Sequence, residues 1–368
     1  MGPLTVERRA YYHCSACRKG HCPADAGFGL GASDLTAGAE QLAVLFGTVA
    51  SFAEAAEKLL PKATGLRLAE STIERATEAA GRRLGEALAA GATFGVAAGW
   101  DWPEDARGRT TAYVSIDATG VPIQGPGGVE AEGRMAWVGK VFAPKPEAEA
   151  EGTRDDEAIR RPAATRHARY LAGLMGLDEL GEPLRRQAAQ VGMDRAQQWV
   201  ALSDCGSGID DFLRVNFPRA VRIADFYHVA EHLGDLAKAW HPGDPEAAED
   251  QAGRWAHTLK HEGGRAILAE LEALDRRGRS ESAVEVFRQV TPYISNHVGR
   301  MDYPAYRASG WQIGSGHIEA ACKTVVNERL KRSGMRWGED GADAVCHLRA
   351  LFKGDAEQWE AFWAGSIN

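Results

Sequence analysis

A chain of 368 residues, 44% hydrophobic and 26% charged, has the composition of a soluble globular protein of two or three domains. No apolar run approaches the roughly 20 residues that span a bilayer, and the N-terminus lacks a basic stretch followed by an apolar core and a small-residue cleavage site. The expected location is the cytoplasm, with no membrane partner. The net charge of -8 counts against nucleic acid as a partner unless cations cluster locally.

In chain order, the first feature is "YYHCSACRKGHCPAD". Cys14 and Cys17 form a CxxC knuckle, with His13, His21 and Cys22 near by. Thiolate and imidazole ligands of this kind suit zinc. A complete ribbon needs a second CxxC, so the alternative is a partial knuckle that binds none. Cys205, Cys322 and Cys346 are scattered through core-like segments, and reduced thiols fit better than disulfides. From Leu35 to about Leu88 apolar residues recur at helical spacing, with two capping-box signals, Ser51 with Glu54 and Ser71 with Glu74. "GLRLAESTIERATEAAGRRL" resembles the second half of a helix-turn-helix, although any small helical bundle can have this pattern. "GVAAGWDWPEDARGRT" then has the composition of a linker.

Three strands follow. "TTAYVSIDATGVPI" alternates Ala112, Val114 and Ile116 with Tyr113, Ser115 and Asp117. "QQWVALSDCGSG" ends on Asp204, and "RAVRIADFYHV" carries Asp225 and His228. "RMAWVGKVFAP" is a further strand candidate, and "EAEAEGTRDDE" reads as a solvated charged loop. A helix is expected from Leu177 to about Gln190, and all-helical structure from Leu233 to about Val298. The chain then reaches "GWQIGSGHIEAACKTVVNERLKRSGMRW", in which Glu319 lies one residue off the apolar face formed by Ile318, Cys322, Val325 and Val326.

Asp117 and Asp204 stand near strand ends, where rigid scaffolds present functional groups, although a single such Asp is more often a turn former. With Glu319 they make an oxygen-only donor set suited to magnesium or manganese. Such ions activate water or a 3'-hydroxyl in phosphodiester chemistry.

"SIDATG", "LSDCGSG", "DFYHVAEHL" and "GSGHIEAACKTVVNERLKRSGMRW", in this order, resemble the DDE transposases of bacterial insertion sequences, most of all the IS-Kra group, which is related to Mutator-like transposases. The resemblance covers nearly the whole chain. It implies an α/β fold with an RNase H-like catalytic core, interrupted by an all-helical insertion. It makes Asp117, Asp204 and Glu319 the catalytic, metal-holding acids, and Asp225 and His228 the family's DxxH signature. It also accounts for the 115 positions between Asp204 and Glu319. The sequence departs from the family at Ala118 and Cys205, where Gly is usual, and at Ala320, where Ser is common.

The implied organisation is a partial zinc-ribbon-like knuckle (1–33), a helical, helix-turn-helix-like DNA-binding domain (34–98), the first part of the core (108–232), the helical insertion (233–305), the last part of the core with the third acid (306–352) and a C-terminal tail (353–368). Lys323, Arg329, Lys331, Arg332 and Arg336 stand against one acid, Glu328, a local +4 that could hold DNA phosphates. A solvated helix end with cations on its dipole is the simpler reading of that run. Trp311 and Trp337 flank the segment as base-stacking or core residues. The implied activity is metal-dependent cleavage and strand transfer at the ends of an insertion sequence. Its partners would be terminal-repeat and target DNA, and it would act as a homodimer or higher oligomer at the bacterial nucleoid. The alternatives are an inactive or domesticated DNA-binding regulator and an RNase H-like nuclease without joining activity.

Overall fold

The computed structural model describes residues 10–27, 35–97, 99–125, 127, 129, 132–145 and 165–365. The charged stretch 147–157, expected as a solvated loop, lies outside the described residues, as do 1–9 and 28–34 of the knuckle segment. A short hairpin, β1 (Tyr12–His13) and β2 (Gly20–His21), precedes the four-residue helix α1 (Ala24–Gly27). Helices α2 (Ala37–Val49), α3 (Phe52–Glu54), α4 (Leu60–Thr64) and α5 (Glu70–Ala89) come next, with a π turn, Ala55–Leu59, joining α3 to α4. Ser51 caps α3, its hydroxyl accepting from the Glu54 amide at 3.2 Å. The second expected box is not used. The carbonyl of an extended Ala69 already accepts from the Thr72 and Ile73 amides, so α5 starts at Glu70 and Ser71 lies inside its first turn.

The sheet consists of β3 (Thr111–Val121), β4 (Arg134–Pro144), β5 (Thr165–Gly173), β6 (Gln198–Ser203) and β7 (Ala220–Ala224), in spatial order β5-β4-β3-β6-β7. β3, β4 and β5 are antiparallel, whereas β6 pairs parallel with β3 and β7 parallel with β6. Parallel neighbours need crossovers. Helix α6 (Leu177–Gln190) precedes β6, and α7 (Ile209–Asn216) joins β6 to β7. Alternation divides β3 between two cores. Ala112, Val114 and Ile116 pack with Leu84, Leu180 and Leu184 on one face, and Tyr113 packs on the other with Leu202 and Phe226. By the two-residue period, Asp117 shares the face of Tyr113.

Beyond β7, helices α8 (Phe226–Trp240), α9 (Pro245–Glu262), α10 (Gly264–Glu272), α11 (Glu281–His297) and α12 (Tyr303–Ala308) form the expected helical stretch. Their core of Leu233, Trp240, Trp255 and Phe287 is continuous with Tyr113, Phe142 and Val200 of the sheet. The third predicted strand is shorter than expected. It ends at Ala224, and Asp225 caps α8, its carboxylate accepting from the Tyr227 amide at 2.9 Å. His228 is therefore a helix residue.

The last segment holds α13 (Gly316–Ala321), a π turn Cys322–Asn327, α14 (Glu328–Leu330), α15 (Glu339–Lys353) and α16 (Ala356–Ala364). The segment taken as a tail contributes Trp359 and Phe362 of α16 to the main core. Helix α15 is almost wholly buried and lies along α5. At Gly81 a Cβ would meet the Ala344 carbonyl oxygen at 2.2 Å, so this contact requires glycine. Val44, Ala80, Leu84 and Leu88 thus share one core with Val114, Ile116 and Leu171 of the sheet. The segment with a linker's composition is anchored by its tryptophans. Trp102 is buried with its indole donating to the Gly192 carbonyl at 3.1 Å, and the Trp100 amide donates to Val191. Two tryptophans outweigh the surrounding Gly, Pro and acids. Among the described residues no helix is long and apolar enough to cross a membrane.

Candidate active site

Asp117, Asp204 and Glu319 line one cleft of about 1560 Å³ between the sheet and the helical segment, together with Asp225 and His228. Each arrives by a different route. Asp117 stands in the second half of β3, opposite Val138 of β4. Asp204 follows the last residue of β6, where its Oδ1 accepts the Gly206 amide at 2.9 Å and closes a tight turn. The residue between them in that turn, Cys205, has φ 66. A left-handed conformation is where glycine is at ease. Ala118 lies within extended β3 and faces no such demand.

Glu319 is brought in by the segment before α13. The Ile313 carbonyl accepts the Phe226 amide at 2.9 Å, and Gly314 lies so close to Tyr227 that a Cβ would meet its ring at 2.3 Å. The Ser315 hydroxyl contacts Asp225 Oδ2 and lies 2.8 Å from Glu319 Oε1. The Asp225 segment and the Gly-Ser-Gly segment are thus joined by backbone, packing and side chain. After Glu319 the helix widens into its π turn, a distortion frequent at functional sites. There the Cys322 thiol donates to Asp117 Oδ2 at 3.5 Å, and Asn327 accepts from Thr119 at 3.0 Å. These contacts dock the helix on β3.

Burial raises the Asp117 carboxyl above the ordinary Asp range, and the nearby charges of Asp204 and Glu319 add to the rise. Burial raises Asp225 too, with Glu319 contributing. Converging carboxylates of this kind form a donor set for a hard divalent cation. Among the described residues, however, no three His, Cys, Asp or Glu side chains are gathered closely enough to hold a metal ion. Glu319 is exposed and engaged by Ser315.

Cations share the cleft with these acids and with Glu104, Asp105 and Glu231. Lys145, Arg166, Lys260, Arg307 and Lys323 line the cleft, contributed by the β4–β5 edge, α9, α12 and the π turn. Of the five basic residues singled out in the sequence, only Lys323 is among them. Lys331, Arg332 and Arg336 are exposed elsewhere, and Arg332 pairs with Glu54 at 3.2 Å. Arg329 is 1% exposed, wedged 4.7 Å from the Phe52 ring and 4.8 Å from the Trp337 ring, with Nε donating to the Gly47 carbonyl at 3.0 Å. It cannot reach a phosphate, and its role is a correction to the sequence reading. Trp337 is core, whereas Trp311 lines the cleft, stacked on Tyr306 and bonded through Nε1 to Asp105 at 3.3 Å.

His228 is half-exposed on α8. Its Nε2 is 3.2 Å from Nε2 of His232, and both rings pack against Tyr293. Tyr293 was not singled out by the sequence, yet its hydroxyl donates to the Asp204 carbonyl at 2.9 Å and ties the helical segment to a strand-end acid. Lys140 and His317 also escaped notice. Lys140 is 3% exposed behind the cleft, its ammonium donating to the His317 carbonyl at 3.3 Å and lying over the Phe142 ring, and burial lowers it to about 7. His317 is held down at about 3 by burial and by Lys140. Alternation in "RMAWVGKVFAP" was the available signal, since it puts Lys140 on the face of Val138 and Phe142.

In the N-terminal hairpin, Cys14 and Cys17 are fully solvent-facing. The Cys17 amide donates to Cys14 Sγ at 3.5 Å, and this bond, the Cys17 thiol and the Ala16 amide hold the Cys14 thiol below its ordinary value. No protein-family model and no curated protein matches the chain.

Proposed function

We propose that the chain is a DDE transposase that cleaves and joins DNA strands at the ends of an insertion sequence. The observation that carries this reading is that Asp117, Asp204 and Glu319 line one cleft together with Lys145, Arg166, Lys260, Arg307 and Lys323. Carboxylates suit divalent metal, and the cations lining the same cleft suit a polyanion whose backbone runs across it. The sheet order, three antiparallel strands followed by two parallel to β3, supports an RNase H-like core in which the first acid lies on the central strand. The helical structure within 233–305 is then the proposed insertion.

Asp117, Asp204 and Glu319 are the residues that would hold magnesium or manganese, which would supply Lewis-acid activation of a water or 3'-hydroxyl and stabilisation of the leaving oxygen. The protein's own part is positional. The turn at Cys205 and Gly206 aims Asp204, the Cys322 thiol holds one oxygen of Asp117, and the cleft cations fix the phosphates on either side of the scissile bond. Lys331, Arg332 and Arg336 extend the proposed DNA contact beyond the cleft, and a dimer is proposed because two element ends must be brought together. Zinc is proposed at Cys14 and Cys17, supported by the amide bonds on Cys14 Sγ.

The test is metal-dependent cleavage of terminal-repeat DNA by the full chain. Asp204→Ala should abolish cutting and leave DNA binding intact. A second reading, a DNA-binding regulator with an inactive core, draws on the carboxyls not being gathered around a metal position. A regulator binds the same DNA and cuts it in neither form.

A further inference from the structure

Helix α8 carries His228, Glu231 and His232 in the order His-x-x-Glu-His, and a spacing of four residues puts the two imidazoles on one helix face. Helices that hold zinc use two histidines at this spacing with a glutamate between them. Here the two Nε2 atoms are 3.2 Å apart, and the ring planes stand at 76° to each other. Two imidazolium cations at that distance would repel, so the pair shares one proton or binds one cation. The separation suits a cation. Two nitrogens, each about 2.0 to 2.1 Å from one zinc ion, stand about 3.3 Å apart at a tetrahedral angle.

The groups around the pair favour a cation as well. Glu231 Oε2 lies 4.0 Å from Nδ1 of His228, the ring nitrogen that does not face His232, and the carboxylates of Glu231 and Asp235 both act on His232. A carboxylate behind a ligating imidazole orients it and raises its basicity. Tyr293 of α11 packs against both rings, at centroid distances of 6.1 and 4.5 Å, and its own hydroxyl is committed to the Asp204 carbonyl. It holds the rings without competing for them. His297, packed on the far end of this group against Tyr293, is engaged through Nδ1 by Arg300. A second pair of the same spacing, His257 and His261 of α9, differs in one respect. The Arg307 guanidinium stands 3.4 Å from His261 Nδ1 and opposes a cation there.

We propose that His228 and His232 form a two-histidine site for a borderline-soft divalent cation of the zinc type, on the helical wall of the cleft that His228 lines. Among the described residues no three His, Cys, Asp or Glu side chains are gathered around one point, so the remaining coordination positions face water or an anionic oxygen brought into the cleft. Nitrogen donors separate this site in kind from the three carboxylates, since imidazole suits zinc, nickel and copper where carboxylate suits magnesium and manganese. The proposal is independent of the transposase reading and holds or fails without it.

The test is calorimetric titration of the full chain with zinc, in a protein carrying Cys14→Ser and Cys17→Ser at two solvent-facing positions, and with excess magnesium to occupy oxygen donors. One equivalent of zinc should bind. His228→Gln and His232→Gln should each weaken that binding at least tenfold, since losing a ligand costs no less than the roughly 10 to 100-fold lost with a ligand's hydrogen-bonding partner. His257→Gln should leave it unchanged. Melting temperatures recorded without zinc show whether each variant is folded. A second readout needs no substitution at the pair. In nitrogen NMR of the imidazoles, zinc should shift the Nε2 signals of His228 and His232 together and leave those of His257 and His261 in place. Absence of uptake, or uptake that both glutamine variants retain, would overturn the proposal and leave the pair as a hydrogen bond between two rings. Zinc that moves only one of the two Nε2 signals would overturn it as well.

Discussion

Residues 315–323 and 324–337 follow one another in the segment that holds α13, the π turn and α14, yet the two stretches use charge in opposite ways. In the first, Glu319 and Lys323 stay exposed on the cleft. In the second, Arg329 is packed between two aromatic rings, and Arg349 of α15 is buried beside it with Nε donating to the Val325 carbonyl at 3.0 Å. Burial, with the neighbouring charges of Arg332 and Arg349, lowers the Arg329 guanidinium to about 9. The π turn, Cys322–Asn327, spans the boundary of the two stretches, and its wider hydrogen bonding shifts the facing of every residue after it. A run of basic residues in sequence is therefore not a basic face. What each cation does depends on whether its turn points at the cleft or at α2 and α3.

The largest expected effect separates the two stretches by stability. Arg329→Ala removes a desolvated cation–π contact and leaves the Gly47 carbonyl unpaired in the core, at a cost of about 3 kcal/mol. The urea midpoint should fall accordingly, and DNA bound by the remaining folded protein should show an unchanged salt dependence. Lys323→Ala should do the reverse. Stability stays within about 0.5 kcal/mol, and the slope of log binding constant against log salt loses about 0.9 if one phosphate contact is lost. An Arg329→Ala protein with normal stability and a reduced salt slope would exchange the roles assigned here.

Asp117 sharpens the contrast from the acidic side. Its carboxyl is raised in the folded state by burial and then by Asp204 and Glu319, so between the unfolded and folded values the native protein holds a proton that the unfolded chain has released. Stability due to this group is greatest at low pH and falls as pH rises through that window. At neutral pH the ionised carboxyl is a destabilising element kept for its chemistry. Asp117→Asn should therefore stabilise the metal-free protein by about 1 kcal/mol at pH 7, as removal of strained site charges commonly does, while cleavage is lost. The gain should disappear below the unfolded carboxyl range, where the wild type is protonated as well. A gain that persists unchanged in acid would mean that amide packing, and not charge, is responsible.

The sequence was most legible where one physical signal acted alone. Alternation gave β3 and β4 to within a residue or two, and helical spacing gave α6 from Leu177 to Gln190. It failed where tertiary contacts overrode a local pattern. β5 has no clean alternation, since "TRHARYLAG" puts Arg169 in a strand interior, and only the structure supplies its partners, Gln187, Gln190 and Asp355. Ser71 looked like a cap, but Ala69 had already started the helix. At the candidate site, the three acids that share the cleft stand out in the sequence by strand ends and motif order. Ser315, Tyr293 and Cys322 act through contacts 90, 89 and 205 positions away in sequence, and no local pattern signals pairs so distant.

The smallest expected effect concerns the turn that presents Asp204. Cys205 has φ 66, a conformation that costs a side-chain-bearing residue about 1 to 2 kcal/mol. Its side chain is also 8% exposed within the core of the helical segment, where a small buried apolar group contributes about 1 kcal/mol. Cys205→Gly relieves the first and forfeits the second, and it adds about 0.5 to 1 kcal/mol of unfolded-chain entropy to be overcome. The three contributions should nearly cancel, leaving the urea midpoint little changed. Cys205→Val keeps the burial but puts a β-branched residue where φ is positive, which is a strong steric conflict. It should therefore destabilise clearly more than glycine does. If valine is tolerated as well as glycine, the turn does not hold its left-handed residue, and the aim of Asp204 must come from the Tyr293 bond instead.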